Sequence, residues 1–169
     1  HIIVSQDCYG GVFRLLELVL KPLGLDITFC DLRDLDEVKA NIKPTTKLIW
    51  AESPTNPLLR LVDIRALGDI AKENDLKLLV DSTFCSPYLQ QPLELGADIV
   101  LHSLTKYANG HCDTLGGAVI TKDDELGEKI DWLTNALGCG LPAFDSWLIL
   151  RGLKTLVVRY ERQQKSAIK

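Results

Sequence analysis

Residues 102–107 place two hydroxyls and a primary amine within four positions, at Ser103, Thr105 and Lys106. Hydroxyls and turn amides can hold a phosphate, and a lysine near that phosphate can reach an aldehyde on the same small ligand. Taken alone, a Ser-x-Thr-Lys pattern is a weak signal, because a solvated loop lysine explains it more simply. The surrounding residues must decide between the two interpretations.

Asp81 follows the apolar run at 77–80. A carboxylate at the end of a buried strand loses hydration unless a cation or a hydrogen-bond donor meets it. A protonated pyridine nitrogen is such a donor, and a carboxylate that keeps it protonated turns pyridoxal 5'-phosphate (PLP) into an electron sink. The alternative is that Asp81 only caps the following turn.

Tyr9 lies beside two glycines, Gly10 and Gly11, after the first apolar run. Glycines let the backbone approach a ligand closely, or open a helix whose amino end favours anions. An aromatic side chain at this position can stack on a flat ring. A packed loop tyrosine is the simpler alternative.

Short apolar runs alternate with amphipathic stretches along the chain, and these elements must position the groups described above. The alternation predicts an α/β domain with a mainly parallel sheet and helices on both faces. Strands are predicted at 2–4, 25–30, 47–51, 77–80, 97–101 and 117–121, and helices at 10–23, 35–42, 63–74, 123–138 and 142–169. Asp63 is the predicted cap of the third helix.

Polar side chains cluster just after the carboxyl ends of three predicted strands. They are Glu52, Ser53 and Asn56 after one strand, Asp81 and Thr83 after the next, and Ser103, Thr105 and Lys106 after the third. In open α/β sheets the ligand crevice lies outside those strand ends. We therefore expect one site that all three strands supply.

Composition excludes several function classes. The formal net charge of -4 offers no basic excess for nucleic acid, and no apolar run is long enough to span a membrane, so we expect a cytoplasmic protein. The five cysteines are widely spaced without a CxxC pair, which indicates neither a disulfide framework nor a metal site. No GxGxxG or GxxxxGK[ST] motif supports nucleotide binding.

Five separated motifs resemble a known family. They are DCYGG at 7–11, ESPTNP at 52–57, VDSTF at 80–84, GADIVLHSLTKYANGHCD at 96–113 and AFDSWLILRGLKTL at 143–156. Together they resemble the PLP enzymes of cysteine and methionine metabolism, the family of cystathionine gamma-synthases, cystathionine lyases and methionine gamma-lyases. The resemblance covers nearly the whole chain and implies the large domain of a fold-type I PLP-dependent transferase.

The resemblance also implies roles for residues that match the motifs. Lys106 would hold PLP as a Schiff base and shuttle protons, and Asp81 would pair with the ring nitrogen. Ser103 and Thr105 would bind the phosphate, and Thr83 is a further cofactor contact.

Three more roles follow from the same resemblance. Tyr9 would stack on the cofactor ring and assist proton transfer, and Asn56 would hydrogen-bond the phenolic oxygen or the substrate carboxylate. Arg14 is a weaker candidate for substrate contact. Ser82 stands where the family often has asparagine. This difference affects contacts that support the site residues and removes none of the principal groups of the site.

Within the family, the motifs at 7–11 and 143–156 favour gamma-replacement, in which an activated homoserine ester and cysteine give cystathionine. Gly11 stands where methionine gamma-lyases typically have cysteine. Elimination from a sulfur amino acid by a gamma-lyase, a beta-lyase or a methionine gamma-lyase is the alternative, and a catalytically silent PLP-binding module is another.

The chain matches only the family's large domain. We expect residues 1–169 to be part of a longer polypeptide, without the amino-terminal arm and the carboxy-terminal domain that complete the site in this family. The full-length protein is expected to be a homo-oligomer, a dimer of dimers, that acts on a small amino-acid substrate.

Overall fold

Residues 1–169 are described by a computed structural model, in which six strands form one sheet in the order β2-β1-β3-β4-β5-β6. The strands are β1 (Ile2–Ser5), β2 (Ile27–Cys30), β3 (Leu48–Glu52), β4 (Lys77–Asp81), β5 (Ile99–Ser103) and β6 (Gly117–Thr121). The first five strands are parallel, and β6 runs antiparallel to β5. The predicted, mainly parallel α/β sheet is confirmed.

Seven α-helices accompany the sheet: α1 (Gly10–Phe13), α2 (Leu35–Ala40), α3 (Ile64–Glu73), α4 (Ser86–Leu89), α5 (Asp124–Ala136), α6 (Ala143–Leu153) and α7 (Leu156–Ala167). Helix α1 continues as a π-helical segment, Arg14–Leu20, and a 3₁₀ turn, Lys21–Leu23. Gly24 then ends the helical run with φ 101°, a conformation that glycine adopts readily. None of the helices is both long and apolar enough to cross a lipid bilayer.

The strands bury both of their faces, because successive side chains point to opposite sides of the sheet. In β1, Ile3 joins a core cluster of 14 buried residues that includes Val38 of α2 and Leu67 of α3. Val4 packs on the other face with Leu16 of the helical run that begins at α1. Helices therefore cover both faces of the sheet, as predicted.

Aspartates begin three of the helices, as expected for a short side chain that can accept from free helix amides. Asp63 caps α3 by accepting a hydrogen bond from the Ala66 amide at 3.0 Å, which confirms the predicted cap. Asp34 and Asp123 cap α2 and α5 in the same way.

The prediction of one helix over 142–169 is wrong, because α6 ends at Leu153 and α7 begins at Leu156. A Cβ on Gly152 would collide with the carbonyl oxygen of Asn109, so the end of α6 rests directly on a distant backbone segment. The apolar stripe continues on both sides of the break and therefore hides it in the sequence. The short helical segments α4, Pro92–Leu95 and Leu104–Ala108 were not predicted either.

Candidate active site

The carboxyl ends of β3, β4 and β5 lie side by side. Glu52 pairs in register with Asp81, and Asp81 pairs with Leu101. A cavity of about 880 Å³ opens at these ends. Seven of the predicted site residues line it: Tyr9, Asn56, Asp81, Thr83, Ser103, Thr105 and Lys106. The expected convergence of strand ends on one cavity is therefore present.

A hydrogen-bonded chain crosses the floor of the cavity from β4 to β5. Oδ1 of Asp81 accepts from the Thr83 amide at 2.9 Å and from the Thr83 hydroxyl at 2.6 Å. The same hydroxyl accepts from the Ser103 amide at 2.8 Å. Both hydrogen bonds to the Asp81 carboxylate fall on Oδ1, which leaves Oδ2 for a ligand. The carboxylate itself is only 8% exposed.

Lys106 lies in a short helical turn, Leu104–Ala108, which we call the Lys106 turn. Its own φ of -91° and ψ of -119° depart from helical values and interrupt the turn at this residue. None of the ion pairs in the chain involves Lys106, so its amine is available to a ligand. The turn continues to Gly110, whose amide donates to the Lys106 carbonyl at 2.8 Å.

Thr105 is more constrained than the sequence suggested. Its hydroxyl donates to the Gly116 carbonyl at 3.3 Å and accepts from the Gly116 amide at 3.0 Å. These contacts tie the Lys106 turn to the segment that leads into β6. The phosphate contact predicted for this hydroxyl stays a prediction.

Glu52 belongs to the predicted cluster at the strand ends, but no role was predicted for it, and it joins two of the predicted cofactor contacts. Its Oε2 accepts from the Tyr9 amide at 2.8 Å, and its Oε1 accepts from the Asn56 amide at 2.7 Å. The carboxylate is 4% exposed and lines the cavity. Gly11 leaves room for the Tyr9 ring, because a Cβ at position 11 would collide with it.

Two buried titratable groups flank Asp81. Burial raises the pKa of Glu52 to about 7, and the charge of Asp81 adds to that rise while the Tyr9 and Asn56 amides oppose it. Burial lowers the pKa of His102 below its ordinary value, against the attraction of Asp81. At neutral pH His102 is therefore uncharged.

Other lining residues were outside the prediction. The segment after the Lys106 turn contributes Cys112, Asp113 and Thr114, and α7 contributes Gln163. Gln163 reaches the cavity from a distant part of the chain, so the local sequence holds no signal for it, whereas the other three residues closely follow Lys106 in sequence. Arg14 is exposed and does not line the cavity, and its substrate contact stays a prediction.

The residues in the cavity fit PLP. The free amine of Lys106 matches an aldehyde, and the unbonded Oδ2 of buried Asp81 matches a protonated ring nitrogen. The half-exposed ring of Tyr9 offers a flat surface, and the hydroxyl of Ser103 offers a donor to a phosphate. No group of three or more His, Cys, Asp or Glu side chains is placed to hold a metal ion.

Comparison with known proteins gives a match along the whole chain. The family model of the Cys/Met metabolism PLP-dependent enzyme matches residues 1–169. Cystathionine gamma-synthase of Mycobacterium leprae (strain TN) is 51% identical over 99% of this chain and 43% of its own length. Cystathionine beta-lyase of Lactococcus lactis subsp. cremoris (strain MG1363) is 50% identical over 100% of this chain and 44% of its own length.

A solved structure is equally similar. The crystal structure of cystathionine gamma-lyase from Lactobacillus plantarum complexed with L-serine matches with a TM-score of 0.92 and 54% sequence identity, covering 94% of this chain and 42% of that chain. The chain thus spans less than half the length of these three relatives. High identity to a gamma-synthase, a beta-lyase and a gamma-lyase alike leaves the reaction undistinguished.

Proposed function

The chain belongs to the Cys/Met metabolism PLP-dependent enzymes, as its motifs indicated, and on that premise we propose that it supplies the PLP site of a gamma-replacement enzyme. The substrate pair would be an activated homoserine ester and cysteine, and the product cystathionine. One observation carries the proposal: a single cavity is lined both by Lys106, which forms no ion pair, and by Asp81, whose Oδ2 accepts no hydrogen bond.

When bound, PLP supplies an electron sink for the negative charge that develops on an amino-acid substrate. Asp81 would hold the proton on the ring nitrogen, since its Oδ2 accepts no hydrogen bond within the chain while Thr83 fixes Oδ1. Lys106 Nζ would hold PLP at its aldehyde group when no substrate is bound, and the same amine would take the proton from the substrate Cα. A positioned group of this kind typically contributes about 100- to 10,000-fold to the rate.

The remaining residues bind and orient. Tyr9 stacks on the ring, and its hydroxyl assists proton transfer. Asn56 donates its side-chain amide to the phenolic oxygen or the substrate carboxylate, and Ser103 and Thr105 bind the phosphate. Glu52 supports this set by fixing the backbone at Tyr9 and Asn56.

In the proposed reaction the bond between the substrate Cγ and the ester oxygen breaks. A bond between Cγ and the cysteine sulfur forms, and the thiol proton leaves with the released acid. The motifs at 7–11 and 143–156 and the glycine at position 11 support replacement.

Elimination is the second candidate, because the Lactobacillus plantarum gamma-lyase and the Lactococcus lactis beta-lyase are as similar as the synthase. In that case the bond between carbon and sulfur in the amino-acid substrate breaks and a thiol is released, and one water molecule is consumed as the remainder is hydrolysed to ammonia and a 2-oxo acid. The same Lys106 and Asp81 would serve both reactions.

We further propose that residues 1–169 are the PLP-binding large domain of a longer polypeptide that assembles as a cytoplasmic homo-oligomer. The matched relatives are more than twice as long as this chain. A group outside these residues would then hold the substrate carboxylate.

The test begins with the cofactor. After incubation with PLP, borohydride reduction and mass spectrometry of peptides should place the cofactor's mass on Lys106. Product analysis with O-succinylhomoserine or O-acetylhomoserine, with and without cysteine, then separates the reactions. Cystathionine supports replacement, 2-oxo acid from cystathionine supports elimination, and an adduct on another lysine such as Lys122 or Lys154 would contradict the site.

A further inference from the structure

Helix α7 contacts the Lys106 turn through the guanidinium group of Arg159. The Arg159 guanidinium donates to the Tyr107 carbonyl at 2.8 Å, to the Ala108 carbonyl at 3.4 Å and to the Gly152 carbonyl at 2.8 Å. Two of these three carbonyls belong to the residues that directly follow Lys106, and the guanidinium also donates to the Thr155 hydroxyl at 3.1 Å. Arginine is suited to this contact, because its planar donors reach several acceptors at once, whereas lysine presents a compact point charge.

Two glycines let this contact form. A Cβ on Gly110 would collide with the Arg159 guanidinium, and a Cβ on Gly152 would collide with the Asn109 carbonyl. Gly110 also has φ 74°, a left-handed conformation that favours glycine. The close approach of α6 and α7 to the Lys106 turn is therefore built into the chain at both positions.

The next residue of α7 reaches the other side of the site. Tyr160 is 5% exposed, and its ring lies 4.8 Å from the ring of Tyr107 at an angle of 37°. Its hydroxyl donates to the Phe84 carbonyl at 2.6 Å. Phe84 ends the segment 81–84, which begins with Asp81.

We propose that Arg159 and Tyr160 are positioning residues, which hold the Lys106 turn and the segment 81–84 in the arrangement that the PLP site uses. The effect on PLP rests on the proposed function. The hydrogen bonds from Arg159 and Tyr160 to the two segments, which we call the bracing, do not depend on it. The motif at 143–156 contains none of the predicted site residues. Its role in this arrangement is structural, because it leads the chain into α7.

The first test compares Arg159→Lys with Arg162→Lys, which replaces an exposed arginine three positions further along the same helix. Arg159→Lys removes the paired hydrogen bonds to the Tyr107 and Ala108 carbonyls. We therefore expect amide hydrogen exchange across 104–110 of the PLP-free protein to accelerate about tenfold. We also expect the PLP dissociation constant to rise about tenfold. Exchange in β1 and β3 should stay unchanged. Arg162→Lys should match the wild type in both measurements.

The second test compares Tyr160→Phe with Tyr88→Phe, whose hydroxyl contacts only the exposed Glu161. Tyr160→Phe keeps the ring and removes one hydrogen bond, so exchange at 84–86 should accelerate about fivefold. Tyr88→Phe should leave that segment unchanged.

The outcomes separate the two proposals. Local acceleration in the Arg159 and Tyr160 variants supports the bracing even if PLP fails to bind the wild type, a result that would reject the proposed function alone. Unchanged exchange at both segments overturns the bracing, and so does a uniform acceleration that includes β1 and β3. Local acceleration with unchanged PLP affinity in a wild type that binds PLP would overturn the positioning role.

Discussion

The sheet region and the C-terminal helices of this chain are built differently. The 14-residue core cluster lies entirely between Ile3 and Ala97, on the sheet and the helices that cover it. Helices α5 to α7 instead bury few hydrophobic residues and expose several large ones, namely Trp132, Leu137, Phe144, Trp147, Leu150 and Val158. The sheet presents the site from a packed core, whereas the C-terminal helices reach the site mainly through polar contacts. Matched substitutions in the two regions should therefore have unequal effects.

The largest difference is expected between two lysines. Lys106→Ala should abolish covalent attachment of PLP and lower turnover by about 10,000-fold or more, since it removes both the cofactor anchor and a proton carrier. Lys154→Ala, at the end of α6, should keep both. Absorbance of the PLP-loaded protein and borohydride trapping measure attachment directly. Normal trapping in the Lys106 variant would reject its assignment.

Two aspartates sharpen the comparison. Asp81→Asn keeps an Oδ1 acceptor for Thr83 but removes the charge that pairs with the ring nitrogen, so turnover should fall by about 100- to 1,000-fold. Asp81→Ala should also impair turnover more than folding. Asp131→Asn, on the exposed side of α5, should change neither. Steady-state kinetics and thermal unfolding of the three variants test this, and near-normal turnover at position 81 would exclude the pyridinium role.

Two leucines compare packing alone. Leu67 is fully buried in α3, and Leu67→Ala should lower the free energy of unfolding by about 2–5 kcal/mol through lost contacts and a cavity. Leu150 is 61% exposed on α6, and Leu150→Ala should cost less than about 1 kcal/mol. Urea denaturation measures both changes. Equal losses would mean that the C-terminal helices share the core.

The same contrast explains what the sequence could and could not predict. Apolar runs that end in polar residues located β4 with Asp81 and β5 with Ser103, because strand burial and strand-end chemistry both leave local patterns. The break before Thr155 left no such pattern, since it depends on Gly152 meeting the backbone of a segment more than 40 residues earlier. Strand β6 was located correctly, but its antiparallel direction depends on how the chain returns along β5.

The site shows the same limit. Lys106 and Tyr9 line the cavity, and their neighbours in sequence, the hydroxyls and the glycines, marked both residues as candidates. Glu52 follows an apolar run like Asp81 does, yet its role depends on accepting from the Tyr9 amide, 43 positions away. Arg159 likewise reaches the Tyr107 carbonyl 52 positions away. Contacts that distant are fixed by the packing of the sheet and leave no trace in local spacing.

The smallest expected effect, taken per pH unit, is the pH dependence of stability that Glu52 confers. The pKa of Glu52 rises from an ordinary value of 4.5 to about 7 in the folded chain, chiefly because the carboxylate is buried. Between these pH values the folded protein holds a proton at Glu52 that the unfolded chain has released. Its contribution to stability is therefore complete below about pH 4.5 and is lost as pH rises towards 7, at no more than about 1.4 kcal/mol per pH unit.

Glu52→Gln isolates this contribution, because glutamine resembles the protonated acid and cannot titrate. The lowered pKa of His102 acts in the opposite direction, since protonation of this buried ring favours the unfolded chain as pH falls below its ordinary value of 6.5. That effect is common to wild type and variant and cancels in their difference. We expect the free energy of unfolding of the wild type, minus that of Glu52→Gln, to decrease from pH 4.5 to 7 and then level off. Urea denaturation at half-unit pH steps measures this difference, and a flat difference would mean that the Glu52 carboxylate is not desolvated by the core that carries the site.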